Sequence, residues 1–192
     1  HSVSLRQTFY FQSGAYKKMI SAVLACDEKG GIGKDNTMPW PRNKEDMRFF
    51  KNMTVSRTVI MGSGTWNSIG MPNPLPNRIN VVATTRPDAR MIYPEADSFV
   101  PMTGKSMIES VRAFEKVAPN NEVVVIGGGK LIESLFDIIE VFNITVIPGD
   151  YDCDTFIPIN KIHKYFFYTQ GVDGKSAKYL TYKRMAEWQV HG

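Results

Sequence analysis

With 192 residues, 43% of them hydrophobic, the chain has material for one domain with a sizeable core, and no apolar run is long enough to cross a membrane as a helix. A formal charge of +4 and a pI near 9.0 suit small anionic ligands, while the lack of Lys/Arg blocks and of aromatic-basic interleaving argues against a nucleic-acid surface. Cys26 and Cys153 show none of the close spacing of a zinc or redox motif, so no metal site is expected and a reducing, cytosolic setting is.

Residues 1–15 contain Tyr10-Phe11-Gln12-Ser13-Gly14 after an initial His1, which is similar to an expression tag with a protease site; they are set aside as a leader, and residues 16–192 are read as one domain. Ile20 to Cys26 is an apolar run closed by Asp27-Glu28-Lys29-Gly30-Gly31, hence a buried first strand, and a long loop follows to about Arg42. A helix is expected from Asn43 to Met53, then a strand over Thr58–Met61 that ends at Gly62-Ser63-Gly64-Thr65 and leads into a helix carrying Trp66 and Ile69. Asn80–Thr84 is the next strand, Thr85 to Ser98 the least structured stretch, and Lys105–Val117 a helix with Met107, Ile108, Val111 and Phe114 on one face. Val123–Ile126 runs into Gly127-Gly128-Gly129 and a helix with Leu131, Leu135 and Ile139 on one face. Strands alternating with helices predict an α/β single domain, a central mostly parallel β-sheet with helices on both faces. Val141–Ile147 continues the sheet, and Tyr165–Gln170 and Lys178–Lys183 around Gly171-Val172-Asp173-Gly174 predict an antiparallel C-terminal hairpin edge.

The first helix poses the chemical question. At about 100° per residue, Met47, Phe49, Phe50 and Met53 form one apolar arc, and Lys44, Arg48, Lys51 and Asn52 the solvated one. Asp46 falls in the middle of the apolar arc. An ionised carboxylate there is costly unless a cationic or hydrogen-bond-donating ligand meets it. A second reading has Asn43 as the N-cap and Asp46 as the third residue of a capping box; the two are compatible, because a first-turn acid can face a pocket.

Two strands end in glycine-rich turns that open helices, at Gly62–Thr65 and Gly127–Lys130, where free amides attract phosphate. Neither completes G-x-G-x-x-G, so each is also readable as a plain strand-to-helix turn; the pair together points to a diphosphate ligand spanning both. Thr84-Thr85-Arg86 at a strand end suits a 2′-phosphate, unless Arg86 is merely solvated ahead of Pro87. No Ser/His/Asp or Cys/His arrangement can be assembled from His163, His191 and the rest, which argues against hydrolysis by a nucleophile.

Five blocks in order give the chain a resemblance to the dihydrofolate reductase family from about Met19 to Arg184. Gly31-Ile32-Gly33-Lys34-Asp35-Asn36-Thr37-Met38-Pro39-Trp40-Pro41 looks like the family's mobile active-site loop. Val59–Gly62 with Thr65-Trp66-Asn67-Ser68-Ile69-Gly70, then Pro74–Arg78, Val125–Gly129 and Asp154–Pro158 follow in the family's sequence. The resemblance implies reduction of 7,8-dihydrofolate to tetrahydrofolate by hydride transfer from NADPH to C6 with protonation at N5, supplying one-carbon and thymidylate metabolism. It also implies a cytoplasmic monomer that binds antifolates such as methotrexate or trimethoprim.

Residue by residue, the resemblance makes Asp46, Trp40 and Thr145 the catalytic set. Asp46 would bind the pterin N3 and 2-amino group, Trp40 would order the water that protonates N5, and Thr145 would support the carboxylate. Val23, Leu24, Met47, Phe50, Ile69, Leu75 and Ile126 would wall the substrate, with Arg78 gripping the glutamate α-carboxylate through its planar fork. For the cofactor it implies Ala25, Ile32, Gly33, Asn36 and Met38 near the loop, and Gly62, Ser63, Gly64, Thr65 and Ser68 at the first glycine turn. Thr84, Thr85 and Arg86 would follow at the next strand end, then Ile126, Gly127, Gly128, Gly129, Lys130, Leu131 and Ile132 at the second turn, and Thr155. A cis Gly127-Gly128 peptide is implied as well.

Three positions depart from the family pattern. Ser63 stands where a basic residue is common, leaving the 2′-phosphate to Arg86 and hydroxyls. Ile132 stands where Tyr or Phe is common beside the nicotinamide, and Met71 and the residues around Asn73 alter the loop before Arg78. Two competing readings keep the fold: a riboflavin-pathway type of reductase, which has little use for Arg78, and a binding or structural protein with a residual site.

Overall fold

Apolar runs of Val, Ile and Leu become strands here because both faces of the sheet are covered, which leaves no need for polar alternation. A computed structural model describes residues 17–68 and 72–190. The leader expected over 1–15 therefore lies outside the described residues, as do Ile69 and Met71.

The strands are β1 (Met19–Cys26), β2 (Gly31–Gly33), β3 (Thr58–Gly62), β4 (Ile79–Ala83), β5 (Ser98–Val100), β6 (Glu122–Gly127), β7 (Val141–Val146), β8 (Thr155–Phe156), β9 (Phe166–Asp173) and β10 (Lys178–Arg184). Eight form one sheet in the order β5-β4-β3-β6-β1-β7-β10-β9, and β2 pairs with β8 in a small second sheet. β5 through β7 in that order are mutually parallel, whereas β10 runs antiparallel to both β7 and β9. The helices are α1 (Lys44–Thr54), α2 (Ser63–Trp66), α3 (Ala89–Ile92), α4 (Gly104–Val117), α5 (Gly129–Leu135), α6 (Ile159–Tyr165) and α7 (Glu187–Val190).

The two-residue period of a strand sends alternate residues into two cores. Ile20, Ala22, Leu24, Val123 and Val125 join one core with Met107 and Val111 of α4 and Leu131 and Leu135 of α5. Val23, Val59, Met61, Val124 and Ile126 join the other with Phe49 and Met53 of α1, Trp66 and Trp40. Asn43 caps α1 as expected, its side-chain oxygen accepting from the Asp46 amide at 2.9 Å.

Several elements differ from the sequence expectation. The helix after Gly127-Gly128-Gly129 ends at Leu135, tightens into a 3-10 turn at Phe136–Ile138, and leaves Ile139 extended although still buried. In the C-terminal hairpin, strand pairing continues through Gly171, Val172 and Asp173, so the turn is Gly174–Ala177. The stretch from Thr85 to Ser98 contains α3 and buries Ala89, Tyr93 and Ala96; its apolar residues are too sparse to show a period. β5 and the β2–β8 pair were not legible, because strands of two or three residues carry no pattern.

Candidate active site

The parallel strands end along one side of the sheet, where α/β proteins gather ligands, and a cleft of about 1730 Å³ opens there. It takes its floor from Val23, Leu24 and Ala25 of β1 and Ile126 of β6, and one wall from Asp46, Met47 and Phe50 of α1. The two glycine turns make the opposite end. A Cβ on Gly62 would lie 3.8 Å from the Gly128 amide nitrogen, so the turns abut, while nothing lies within 4 Å of the position at Gly64. This is a cradle of backbone amides with open space above it, and it fits a diphosphate. The Gly127-Gly128 peptide is cis.

Asp46 sits in the apolar wall as the helix pattern requires. Burial raises its carboxyl above the usual range, the Thr145 hydroxyl opposes that by donating to it, and the neighbouring Glu45 charge adds to the rise; the net direction is upward. Thr145 itself is buried on β7. Trp40 is 8% exposed and packs edge-on to Tyr151 with ring centroids 6.1 Å apart. Arg78 is half-buried and donates through Nε to Thr54 Oγ1 at 3.1 Å and through Nη1 to the Pro76 carbonyl at 2.7 Å. These partners are neutral, and burial holds its guanidinium below the usual arginine range.

The loop between β1 and α1 is anchored at its base by Asp27. Its buried carboxylate accepts from the Lys29 amide at 2.9 Å, the Gly31 amide at 2.8 Å and the Tyr151 amide at 3.1 Å. Burial pushes this carboxyl up, but those amides and the Cys153 thiol outweigh it and hold it below the carboxylate range. At the tip, Lys34 and Thr37 exchange backbone hydrogen bonds at 2.9 Å around Asp35 and Asn36, both at positive φ, the two-residue turn that matches strand twist. Asp154 ties this tip to β8 by accepting from the Asp35 amide at 3.0 Å.

Gly31 has no room for a side chain, since a Cβ there would overlap both Cβ and Sγ of Cys153. Gly31→Ala is therefore expected to cost about 1–3 kcal/mol. The measurement is thermal unfolding, with Tm falling by about 5 °C; an unchanged Tm would mean that the 151–154 segment yields freely.

Nearly all of the site residues expected from the sequence line this one cleft. Those from the loop (Ile32, Gly33, Asn36, Met38), the first glycine turn (Ser63, Thr65, Ser68), the β4 end (Thr84, Thr85, Arg86) and the second turn (Gly129, Lys130, Leu131) converge, together with Leu75 and Thr155. Ile132 is not among the cleft-lining residues: it is 1% exposed and packs in the core with Leu131 and Leu135. Ile69 lies outside the described residues. Arg86 lines the cleft while its Nε and Nη2 make a forked ion pair, each 3.1 Å from an Asp88 oxygen. The cleft also includes Arg42, Lys51, Tyr93, Met102, Ser134 and Phe156, which sequence reasoning passed over. Lys51, one turn beyond Met47, was findable by its spacing; Met102 follows β5, a strand too short to be read.

The family model for dihydrofolate reductase matches residues 19–184. Dihydrofolate reductase of Bacillus subtilis strain 168 is 33% identical over 141 residues, covering 73% of this chain and 76% of that protein. Dihydrofolate reductase of Staphylococcus aureus is 32% identical over 139 residues, covering 72% of this chain and 77% of that protein. A solved structure of dihydrofolate reductase from Enterococcus faecalis, complexed with NADP(H) and RAB-propyl, superposes with a TM-score of 0.71 at 26% identity, covering 89% of this chain and 99% of that one.

Proposed function

The chain belongs to the dihydrofolate reductase family, and from that premise we propose that it reduces 7,8-dihydrofolate to tetrahydrofolate with NADPH. The observation that carries the reading is Asp46: a carboxylate in an apolar wall whose hydrogen-bond donor is the Thr145 hydroxyl, facing a cleft that ends in two abutting glycine turns. A pterin ring presents two donors side by side, at N3 and the 2-amino group, and so satisfies the remaining lone pairs.

The bound cofactor supplies a hydride from C4 of its nicotinamide to C6 of the pterin. The rest is work for side chains. Asp46 fixes the ring, and Thr145 holds Asp46. Trp40 orders the water that delivers a proton to N5. Leu24, Phe50, Leu75 and Ile126 exclude bulk water from the ring, and Arg78 exchanges its neutral partners for the forked grip of a glutamate α-carboxylate. Amides of the Gly62–Thr65 and Gly127–Gly129 turns hold the diphosphate, and Arg86 leaves Asp88 for the 2′-phosphate.

Arg78 favours folate over the riboflavin-pathway alternative, since a substrate without a glutamate tail gives a half-buried guanidinium nothing to pair with. Among the described residues no helix is long and apolar enough to cross a membrane. Antifolates such as methotrexate or trimethoprim, whose protonated ring nitrogen and adjacent amino group also present two donors side by side, are expected at Asp46.

The test is loss of reduced-nicotinamide absorbance on adding dihydrofolate, run with NADPH and with NADH. Turnover is expected with NADPH, and Arg86→Gln is expected to raise KM for NADPH about tenfold, a loss of about 1.4 kcal/mol, with NADH unaffected. No dihydrofolate-dependent loss with either cofactor would overturn the reading.

A further inference from the structure

Glu45 precedes Asp46 in the first turn of α1, yet its side chain leaves the cleft and docks on the C-terminal hairpin. Its carboxylate accepts from the Tyr179 hydroxyl at 2.9 Å, the Lys175 amide at 3.0 Å and the Ser176 amide at 3.5 Å. Asn43 reinforces the joint: its oxygen accepts from Ser176 Oγ at 3.1 Å and its Nδ2 donates to the Ser176 carbonyl at 3.3 Å. The fit is close enough that a Cβ on Gly174 would overlap both Glu45 Oε1 and the Tyr179 ring. Tyr179 leads back to the reaction centre. Its ring lies 4.4 Å from that of Phe49, and its register partner on β7 is Thr145, the residue that donates to Asp46.

Resting on the dihydrofolate reductase reading, we propose that Glu45 is a positioning residue for the reaction: it fastens the 174–177 turn and Tyr179 to the start of α1 and keeps a fixed negative charge beside Asp46. A free surface glutamate would swing into water and be screened; three donors hold this one in place. Arg48, one turn on from Glu45 on α1, is a competing cation, its charge acting on the Tyr179 hydroxyl in the sense opposite to those of Glu45 and Asp46. β1 and β7 present Val23, Leu24, Ala25 and Thr145 to the same wall, none of them ionisable, and β10 presents the neutral Tyr179, whose hydroxyl burial and Glu45 keep well above its usual pKa. Arg42, Lys51 and Arg78 line the same cleft, but none of them is among the groups that act on the Asp46 carboxyl, which are burial, the Thr145 hydroxyl and the Glu45 charge. A second negative charge beside the Asp46 carboxylate favours a proton in the site as a whole, N5 of a bound pterin included, and so favours the protonated substrate complex that hydride transfer needs.

The experiment is the pH profile of single-turnover hydride transfer from NADPH to dihydrofolate for the unsubstituted chain, Glu45→Gln and Tyr179→Phe. Gln keeps an acceptor for the clamp and removes the charge, so the pH at which the rate falls by half is expected to move down by about half a unit. Tyr179→Phe keeps the charge and loses one bond, so its Tm is expected to fall while its profile stays where it was. Equal profiles for Glu45→Gln and the unsubstituted chain would overturn the proposal and leave Glu45 a structural clamp. If Gln at 45 prevents folding, Glu45→Ser, smaller and also neutral, is read in the same way. No dihydrofolate-dependent oxidation by the unsubstituted chain would overturn the family reading and this proposal together; turnover with an unmoved Glu45→Gln profile would overturn this proposal alone.

Discussion

Asp46→Asn is expected to keep the fold and to lower hydride transfer to dihydrofolate at neutral pH by about 10²- to 10⁴-fold, the range that a positioned acid-base group supplies. Asn retains the size of the side chain and an oxygen for the Thr145 hydroxyl, so the apolar wall around Met47 and Phe50 has no reason to rearrange. It loses the charge that binds the pterin donors and favours protonation at N5. The deficit should narrow as pH falls, because solvent then protonates N5 without assistance. Stability should move in the opposite direction from activity. The Asp46 carboxyl is raised in the folded state by burial, so its contribution favours folding below its ordinary pKa and is lost as pH rises through the folded one. At neutral pH the ionised group opposes folding, and Asn removes that opposition; Tm of the variant is expected to equal or exceed that of the unsubstituted chain at pH 7. Stopped-flow absorbance over pH 5–8 and thermal unfolding at pH 7 measure the two effects, and a variant with full rate at neutral pH would remove Asp46 from the reaction.

Arg78→Leu is expected to raise KM for dihydrofolate by about 30- to 100-fold while kcat changes by no more than about threefold, reflecting loss of a charge-assisted forked pair of about 2–3 kcal/mol. The reason lies in the present partners of Arg78. A half-buried guanidinium bonded to the Thr54 hydroxyl and the Pro76 carbonyl, and depressed in pKa by burial, has its position fixed and its charge unmatched. A ligand carboxylate matches it at little cost in ordering. The contact is far from the atoms that react, so it contributes equally to ground and transition states and appears in KM. A dihydropterin lacking the glutamate tail supplies the control: its kinetics should be the same with Arg or Leu at 78. A comparable rise in KM for that truncated substrate would instead mean that Leu distorts the Pro76–Arg78 turn.

How far the sequence alone carried depended on period and length. Asp46 was visible because α1 is eleven residues long and mostly polar or apolar by face, so one acid on the wrong face stood out. The apolar run Val123–Ile126 within β6 and the strand-like stretch that becomes β7 are visible from composition. Ile132, placed beside the cofactor by the resemblance, packs in the core; Leu131, equally buried in that core, also borders the cleft, so burial alone does not separate the two neighbours. The hairpin turn was set too early because Gly171 looks like a turn residue, yet a Cβ there would overlap the Tyr168 hydroxyl, so this glycine serves close packing inside β9. The role of Glu45 could not be read at all, since its partners lie about 130 residues away and are mostly backbone amides. Contacts that depend on where a distant turn lands leave no local trace in composition or spacing.

The central claim is that this cleft brings the nicotinamide C4 of NADPH against C6 of dihydrofolate. It is tested most directly by mixing the protein with dihydrofolate and NADPH deuterated on the transferred face of C4, and locating the label in the product by NMR. The account predicts one deuterium at C6 of tetrahydrofolate and none at C7 or N5 after exchange. Oxidation of the cofactor without deuterium in the pterin would contradict it.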